Sequence, residues 1–177
     1  QKVGMGRDLY DASPAFRAAF DAGKLDFDLQ ALCFDGAQET LNQTQYTQPC
    51  MVAFACGVTA ALFEAGIQPD YAAGLSLGEY SALEASGVFT AKAAIELAAY
   101  RGAAMAKASE GVQSAMTAVL GLDREPLARC CEEAGSTGVV QICNYNCPGQ
   151  IVIGGEAAAV ARAGELAKEA GARRLLP

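Results

Sequence analysis

The sequence has 177 residues and a formal net charge of −7, and 52% of its residues are apolar. This length predicts one domain or two small ones, with enough apolar residues for a sizeable core. The acidic balance argues against a general nucleic-acid-binding protein. No leader pattern and no stretch of about 20 apolar residues is evident, so we expect no export, no membrane span and a cytoplasmic location.

Cysteine and histidine usage limits the chemistry that the chain can carry. Seven cysteines are scattered without a Cys-x-x-Cys pair, and histidine is absent. These features argue against a zinc site, so we expect no metal and free, mostly buried thiols in a reducing compartment. A serine nucleophile needs a base that takes its proton, so that base would be another residue type or would lie outside these residues.

The first part of the chain is predicted to be mostly helical. Ser13-Pro14 is typical of a helix start, and Pro49 is expected to open a long apolar helix that runs to Phe63. Further helices are predicted near residues 7–10, 29–34, 79–86 and 91–108, and a single strand at residues 70–75. A lone strand leaves its backbone groups unpaired, so we expect this chain to be an internal piece of a larger α/β protein.

A glycine-flanked serine stands between the predicted strand and the helix that follows it. The residues are Gly74-Leu75-Ser76-Leu77-Gly78, and strand, sharp turn and helix in this order are typical of a nucleophile elbow. Such a turn would expose the Ser76 hydroxyl and leave the N–H of Leu77 without an intrahelical partner. That N–H is a candidate donor to an oxyanion. The alternative is an ordinary strand-to-helix connection with a capping serine.

Arg101 is the second candidate site residue. It lies within the predicted helix 91–108, and the residues three and four positions away are Leu97, Ala98, Ala104 and Met105, none of which is acidic. A guanidinium keeps its charge, so a buried one needs a tertiary partner or an anionic ligand. The alternative is that Arg101 reaches solvent or a structural carboxylate.

The last third of the chain predicts a second, smaller domain. Strands are expected at residues 114–120, 139–144, 150–153 and 172–176, with helices at residues 123–134 and 156–170. The order β-α-β-β-α-β is that of a ferredoxin-like unit, which has its own core of two helices and four strands. We place the domain boundary between residues 113 and 114, after the segment Glu110-Gly111-Val112-Gln113.

Several of these segments together resemble one enzyme family. The stretch GLSLGEYSAL at residues 74–83, Arg101 about 25 residues later and the β-α-β-β-α-β segment are similar to the malonyl-CoA:acyl carrier protein transacylases. Gln48-Pro49, SGVFT at residues 86–90 and NYNCPGQ at residues 144–150 also match this family. The resemblance implies an incomplete α/β-hydrolase-like large domain at residues 1–113 with an inserted ferredoxin-like small domain at residues 114–177.

The resemblance also implies a reaction and its residues. Ser76 would take a malonyl group from coenzyme A as an acyl-serine and pass it to acyl carrier protein, as in fatty-acid synthesis. Leu77 would donate one oxyanion N–H, Arg101 would bind the free carboxylate, and Asn144 would line the cleft between the domains. The implied partners are malonyl-CoA and acyl carrier protein, without nucleic acid, membrane or a permanently bound cofactor; the substrate is a coenzyme A thioester. We expect a monomer.

Three features depart from the family pattern. Only Gln1 corresponds to the glycine- and glutamine-rich motif that helps to form the oxyanion hole, and the sequence stops at Pro177, short of the position of the catalytic histidine. Leu75 stands where many relatives carry histidine. We therefore expect these 177 residues alone to transfer malonyl groups negligibly.

Other functions remain open at this stage. A polyketide-synthase-type acyltransferase domain would use the same residues. A patatin-like hydrolase would need a Ser–Asp dyad, for which Asp123 is the only aspartate after the serine. A catalytically dead module that docks an acidic carrier protein would use a basic C-terminal face, for which a solvated helix is the simpler explanation. The basic residues of that face are Arg162, Lys168, Arg173 and Arg174.

Overall fold

The computed structural model describes residues 1–176, which form two compact units. Unit 1 spans Gln1–Ala108 and unit 2 begins at Ser109. The domain boundary that the sequence placed between residues 113 and 114 stays a prediction. Gln113 lies in unit 2, where its carbonyl accepts a hydrogen bond of 2.9 Å from the N–H of Ala157.

All the regular secondary structure of unit 1 is helical. Ser13 accepts a hydrogen bond from the N–H of Phe16, so the predicted serine cap and the proline in the first turn are both present. Residues 1–108 contain no strand. The helices are α1 (Arg7–Ala12), α2 (Pro14–Phe20), α3 (Leu29–Asp35), α4 (Gln38–Leu41), α5 (Thr44–Glu64), α6 (Gly78–Ala85) and α7 (Ala91–Ala108).

The strand predicted at residues 70–75 is wrong. This segment is irregular and exposed, and Tyr71 has 95% of its surface accessible. A strand is defined by its hydrogen-bonded neighbours, and residues 1–108 supply no second strand to pair with it. The sequence correctly marks the turn that follows, but a strand pattern without a partner does not form a sheet.

Helix α5 begins at Thr44, whereas the sequence predicted a start at Pro49. Proline inside a helix lacks an N–H donor and normally disfavours the turn around it. Here the ring of Pro49 is fully buried, so packing offsets the lost bond and the helix continues through it. Tertiary burial has overridden a local helix-start signal.

The length and composition of α5 would also suit a membrane span, contrary to the sequence expectation. The core helix of a globular unit passes the same test of length and composition. In unit 1, α5 packs against α2, α6 and α7, and it contributes Cys50, Val52, Ala53 and Cys56 to the buried core. These core residues account for part of its apolar character, since 39% of its most apolar window is buried.

Aromatic rings of α2 and α3 pack against α5 in the core of unit 1. Phe16 and Phe20 stack with their centroids 5.7 Å apart, and Phe20 stacks on Phe34 at 5.4 Å. Gly57 of α5 allows this approach, because a Cβ there would lie 2.7 Å from the ring of Phe16. The aromatic cluster therefore holds α2 and α3 against α5.

Unit 2 is a four-stranded antiparallel sheet with two helices on one face. All the predicted strands and helices of this part are present, but the second strand ends at Cys147 rather than near Asn144, which moves the turn to Pro148-Gly149. The strand order is β2-β3-β1-β4. The elements are β1 (Ser114–Leu120), α8 (Arg124–Ala134), a short 3-10 turn (Gly135–Thr137), β2 (Val140–Cys147), β3 (Gln150–Glu156), α9 (Ala157–Glu169) and β4 (Arg174–Leu176).

Alternation along the strands separates the two faces of this sheet. Val119, Ile151 and Ile153 are buried in the core that also contains residues of α8 and α9. Val152 lies between Ile151 and Ile153 along β3, so it points to the opposite face of the sheet. Its cross-strand partner on β2 is Asn144. Asn144 therefore shares the face of the sheet that the helices leave uncovered.

We expect Ile95→Ala to destabilise unit 1 far more than Leu97→Ala, although both residues lie on α7. Ile95 is fully buried, whereas Leu97 is 42% exposed. Removing the buried side chain leaves a cavity that costs about 2–5 kcal/mol, and the exposed change should cost less than about 1 kcal/mol. Urea unfolding measured by circular dichroism tests this difference. Equal shifts of the unfolding midpoint would contradict the assignment of Ile95 to the core.

Candidate active site

Ser76 occupies a tight turn just before α6 and adopts a strained backbone conformation. Its φ angle is +52°, and among residues 1–176 it is the only non-glycine residue with a positive φ. A left-handed conformation costs a non-glycine residue about 1–3 kcal/mol and persists only where the surrounding structure enforces it. The side chain of Ser76 is exposed at the tip of this turn. A strained, exposed serine on a tight turn before a helix is compatible with the predicted nucleophile elbow, which stays a prediction.

The two glycines of the turn have different roles. A Cβ on Gly74 would overlap the carbonyl group of Gly78 and the backbone nitrogen of Glu79, so only glycine permits the turn to close. A Cβ on Gly78 would meet nothing within 4 Å among the described atoms. The sequence pattern treats both glycines alike, but the turn itself depends on Gly74.

The first turn of α6 leaves a backbone donor beside the serine. Gly78 and Glu79 donate hydrogen bonds of 2.9 and 3.2 Å to the carbonyls of Leu75 and Ser76. Within residues 1–176 no backbone acceptor is recorded for the N–H of Leu77. A free N–H next to the nucleophile at a helix N-terminus can donate to a developing oxyanion.

Arg101 of α7 lies directly against this turn. Its Nη2 donates a hydrogen bond of 2.9 Å to the Oγ of Ser76, and its Nη1 donates one of 2.6 Å to the Oε1 of Gln48. Its guanidinium carbon lies 6.0 Å from the ring centre of Tyr80, within the range of a cation–π contact. The sequence left solvent or a structural carboxylate as alternatives, and the structure instead gives Arg101 two neutral partners.

The charge of Arg101 is therefore uncompensated within unit 1. No ion pair between Arg101 and a carboxylate is recorded in the described part of the chain. A guanidinium with a hydroxyl and an amide as partners keeps its affinity for an anion, which it binds best as a bidentate carboxylate. The turn thus brings together an exposed hydroxyl, a backbone N–H without a recorded acceptor and a guanidinium without a carboxylate partner.

Gln48 is the residue of this site that sequence reasoning missed. The pair Gln48-Pro49 is part of the family resemblance, but no role follows from it. A signal was available, because Gln48 is a polar residue that directly precedes a long apolar run in the sequence. Its orientation towards Arg101 depends on how α5 and α7 pack, which a single sequence does not reveal.

The remaining predicted residues lie in unit 2. Asn144 is half-buried on the uncovered face of the sheet, and Asp123 is the N-cap residue of α8, where its side chain makes no capping hydrogen bond. The only side-chain partner recorded for Ser76 in residues 1–176 is Arg101, which is not a base.

The basic C-terminal residues are partly neutralised. Arg162 forms ion pairs of 3.6 Å with Glu133 and 3.3 Å with Glu165. Arg173 packs its aliphatic part over Gly121, where a Cβ would lie 2.7 Å from its Cγ. Exposed ion pairs of this kind contribute little to stability, but they reduce the net positive charge that an acidic partner would meet.

Glu84 of α6 and Cys56 of α5 form a polar pair between these two helices. Burial, together with the nearby Glu84 carboxylate, raises the pKa of the Cys56 thiol to about 12, so the thiol is neutral. Burial also raises the pKa of the Glu84 carboxyl, whose Oε2 is buried without a recorded hydrogen-bond partner in the described residues. All seven thiols are free, and residues 1–176 contain no group of side chains arranged to hold a metal ion.

Comparison with known proteins shows that this chain is similar to acyl transferases over residues 1–176. The family described as "Acyl transferase domain" matches residues 1–176. The malonyl CoA-acyl carrier protein transacylase of Bacillus subtilis strain 168 is 43% identical over 180 residues, which cover 100% of this chain and 57% of that protein. This chain thus corresponds to less than two thirds of that relative.

Solved structures give the same result. An acyl carrier protein S-malonyltransferase from Vibrio cholerae superposes with a TM-score of 0.88 at 44% identity, covering 100% of this chain and 59% of that one. A malonyl-transacylase in complex with a type II polyketide acyl carrier protein superposes with a TM-score of 0.89 at 42% identity, covering 100% and 58%. The similarity therefore extends from sequence to backbone geometry.

We expect Gly74→Ala to disrupt the serine turn, and Gly78→Ala to be harmless. The new Cβ at position 74 overlaps backbone atoms and should destabilise α6 by about 1–3 kcal/mol. At position 78 the Cβ meets open space inside a helix, where alanine is the better helix former. Amide hydrogen exchange of residues 76–85 measures the effect. Faster exchange in both variants, or in neither, would contradict this account of the turn.

We expect Glu84→Gln to stabilise the protein more as the pH rises. Because burial raises the pKa of Glu84, the folded state keeps its proton at pH values where the unfolded chain has lost it. The stability that this group contributes is thus present below its ordinary pKa of 4.5 and is lost as the pH rises through the folded value. Urea unfolding of both proteins between pH 4 and 8, with the exposed Glu64→Gln as a control, measures it. A constant difference across this range would contradict the raised pKa.

Proposed function

Because this chain belongs to the acyl transferase domain family, we propose that it carries the nucleophile and the carboxylate-binding arginine of a malonyl-CoA:acyl carrier protein transacylase. One observation supports this most directly, namely the hydrogen bond of 2.9 Å between Arg101 and the hydroxyl of Ser76. A hydrolase of neutral acyl groups has no need for a permanent positive charge beside its nucleophile. A transferase of malonyl groups does need one, because its acyl group carries a second carboxylate.

The first half-reaction forms an ester on Ser76. The Oγ attacks the thioester carbon while a base takes the hydroxyl proton, and the oxyanion that develops accepts the free N–H of Leu77. The carbon–sulfur bond then breaks, and coenzyme A leaves as a thiol after it receives a proton. The chain has no histidine, so we assign the base to a residue outside these 177, as the family resemblance implies.

Arg101 selects the acyl group in this scheme. Its Nη2 exchanges the Ser76 hydroxyl for the free carboxylate of the malonyl group, which also leaves the Oγ free to attack. A charge-assisted hydrogen bond of this kind contributes about 1.5–3 kcal/mol. That energy corresponds to a preference of about 10- to 100-fold for malonyl over acetyl groups.

The second half-reaction passes the acyl group to a carrier protein. The thiol of a phosphopantetheine arm attacks the ester carbon, and Ser76 regains its proton as the ester bond breaks. The relatives are named as transacylases for acyl carrier protein, and one of them is solved in complex with such a carrier. Fatty-acid and polyketide synthesis would both supply such a carrier. No permanently bound cofactor takes part in these steps, and we place the reaction in the cytoplasm, where free thiols stay reduced.

We further propose that the two units correspond to two domains of the intact enzyme. The order β2-β3-β1-β4 with two helices on one face supports a ferredoxin-like small domain. The match to the acyl transferase family supports an α/β-hydrolase-like large domain, as the resemblance implies. The limited share of each relative that this chain covers is consistent with that arrangement. Asn144, on the uncovered face of the small sheet, stays our candidate for a further substrate-binding residue.

Acylation of the intact natural protein tests this proposal. With malonyl-CoA we expect one malonyl group per protein, located on Ser76 by peptide mass spectrometry, and none in Ser76→Ala. Arg101→Ala should lower kcat/KM for malonyl-CoA by about 10- to 100-fold relative to acetyl-CoA, because only the malonyl group loses a partner. Lys107→Ala, an exposed cation on the same helix, is the matched control and should change neither substrate.

Three results would contradict the proposal. A malonyl group on a residue other than Ser76 would remove the nucleophile assignment. An equal loss for malonyl-CoA and acetyl-CoA in Arg101→Ala would remove the assignment of the carboxylate-binding arginine. Carrier-protein binding without any acylation would support the docking module instead.

A further inference from the structure

Gln48 is an exception in the interior of the protein. It is 4% exposed, and among residues 1–176 it is the only polar or charged residue recorded as buried. Burying an amide is costly unless each of its polar atoms has a partner. The partners of Gln48 therefore show what this side chain is held for.

All three polar groups of the Gln48 amide are engaged. Its Nε2 donates 2.9 Å to the Oγ1 of Thr44 and 3.3 Å to the Sδ of Met105, and its Oε1 accepts 2.6 Å from the Nη1 of Arg101. A thioether accepts only and a guanidinium donates only, so a reversed amide would set donor against donor. The orientation of the amide is thus fixed by its neighbours, with the oxygen towards Arg101.

The spacing of the two helices makes this contact possible. Gly102 follows Arg101 on α7, and a Cβ there would lie 2.8 Å from the carbonyl oxygen of Thr44 and 2.9 Å from the Cα of Gln45. Only glycine lets α7 approach the first turns of α5 so closely. The guanidinium of Arg101 therefore reaches Gln48 at one end and Ser76 at the other.

We propose that Gln48 is a positioning residue, which orients the Arg101 guanidinium and leaves its charge available for the carboxylate of the acyl group. This inference rests on the proposed function. A glutamine oxygen occupies Nη1 without neutralising the cation, and it directs Nη2 to the serine. A glutamate of the same shape would hold the same geometry, but it would pair with the charge that the substrate needs.

This difference between shape and charge defines the experiment. In the intact natural protein, Gln48→Glu keeps the acceptor and adds a charge, whereas Gln48→Met keeps the volume and removes the acceptor. Gln45→Glu makes the same chemical change on the same helix at a residue whose amide bonds to Gln43 instead. We measure kcat and KM for malonyl-CoA and acetyl-CoA, and urea unfolding verifies that each variant folds.

We expect Gln48→Glu to lower kcat/KM for malonyl-CoA by about 10- to 100-fold, mainly through KM, with acetyl-CoA changed less than about threefold. Gln48→Met should weaken malonyl-CoA less, since the charge remains but its orientation is lost. In an Arg101→Ala background Gln48→Glu should have no further effect on selectivity, because the two residues act as a unit. Equal losses for both thioesters, or an unchanged malonyl-CoA value, would overturn the proposal.

Thermal unfolding with free malonate separates this inference from the proposed function. If the wild type is not acylated by malonyl-CoA but malonate stabilises it, and Gln48→Glu abolishes that stabilisation, the proposed function fails and the role of Gln48 stands. If malonate stabilises wild type and Gln48→Glu equally, the role of Gln48 fails, whatever the result of acylation. If neither acylation nor stabilisation occurs in the wild type, both fail.

Discussion

The candidate site depends on Arg101, whose positive charge has no carboxylate partner in unit 1. Within unit 1, Arg101 contacts the hydroxyl of Ser76 and the amide of Gln48, and both partners are neutral. A protein normally pairs or solvates such a charge, because desolvating it alone is expensive. Here it is half-buried and held beside a strained serine, so we propose an anionic ligand as its partner. The proposed selection of malonyl groups follows from this one arrangement.

Two glycines set the positions of the reacting groups. Gly74 allows the chain to turn so tightly that Ser76 takes a left-handed conformation, and Gly102 lets α7 approach α5. The constraint at Gly74 positions Ser76, and the constraint at Gly102 positions Arg101. Neither constraint involves chemistry of its own, but each fixes a group that does. Binding groups held in advance lose little entropy when the substrate arrives, which is how positioning contributes to catalysis.

Local sequence signals predict much of this fold where short-range rules decide the outcome. The cap at Ser13, the limits of α7 and the β-α-β-β-α-β order all follow from capping residues and hydrophobic periodicity. Two site residues are also visible in the sequence. Ser76 stands out because glycines flank it, and Arg101 stands out because it has no acidic neighbour along its helix. Their proximity is not visible there, since it depends on the packing of α7 against the turn.

Failures of sequence reasoning arise where tertiary contacts decide. The segment at residues 70–75 has a strand pattern but no neighbour to pair with, and Pro49 is tolerated inside α5 because burial offsets the missing hydrogen bond. The sequence marks Gln48 only as a polar residue before an apolar run, and no sequence pattern marks the buried carboxyl of Glu84. In each case the deciding partner lies on another element of unit 1 or is lacking there.

A crystal structure of the intact protein trapped with a malonyl group tests the central claim most directly. Our account predicts an ester on the Oγ of Ser76, its carbonyl oxygen accepting the N–H of Leu77, and its free carboxylate bound by both terminal nitrogens of Arg101 or by Nη2 with Nη1 still on Gln48. A carboxylate bound by another residue, with Arg101 turned towards solvent, would contradict it.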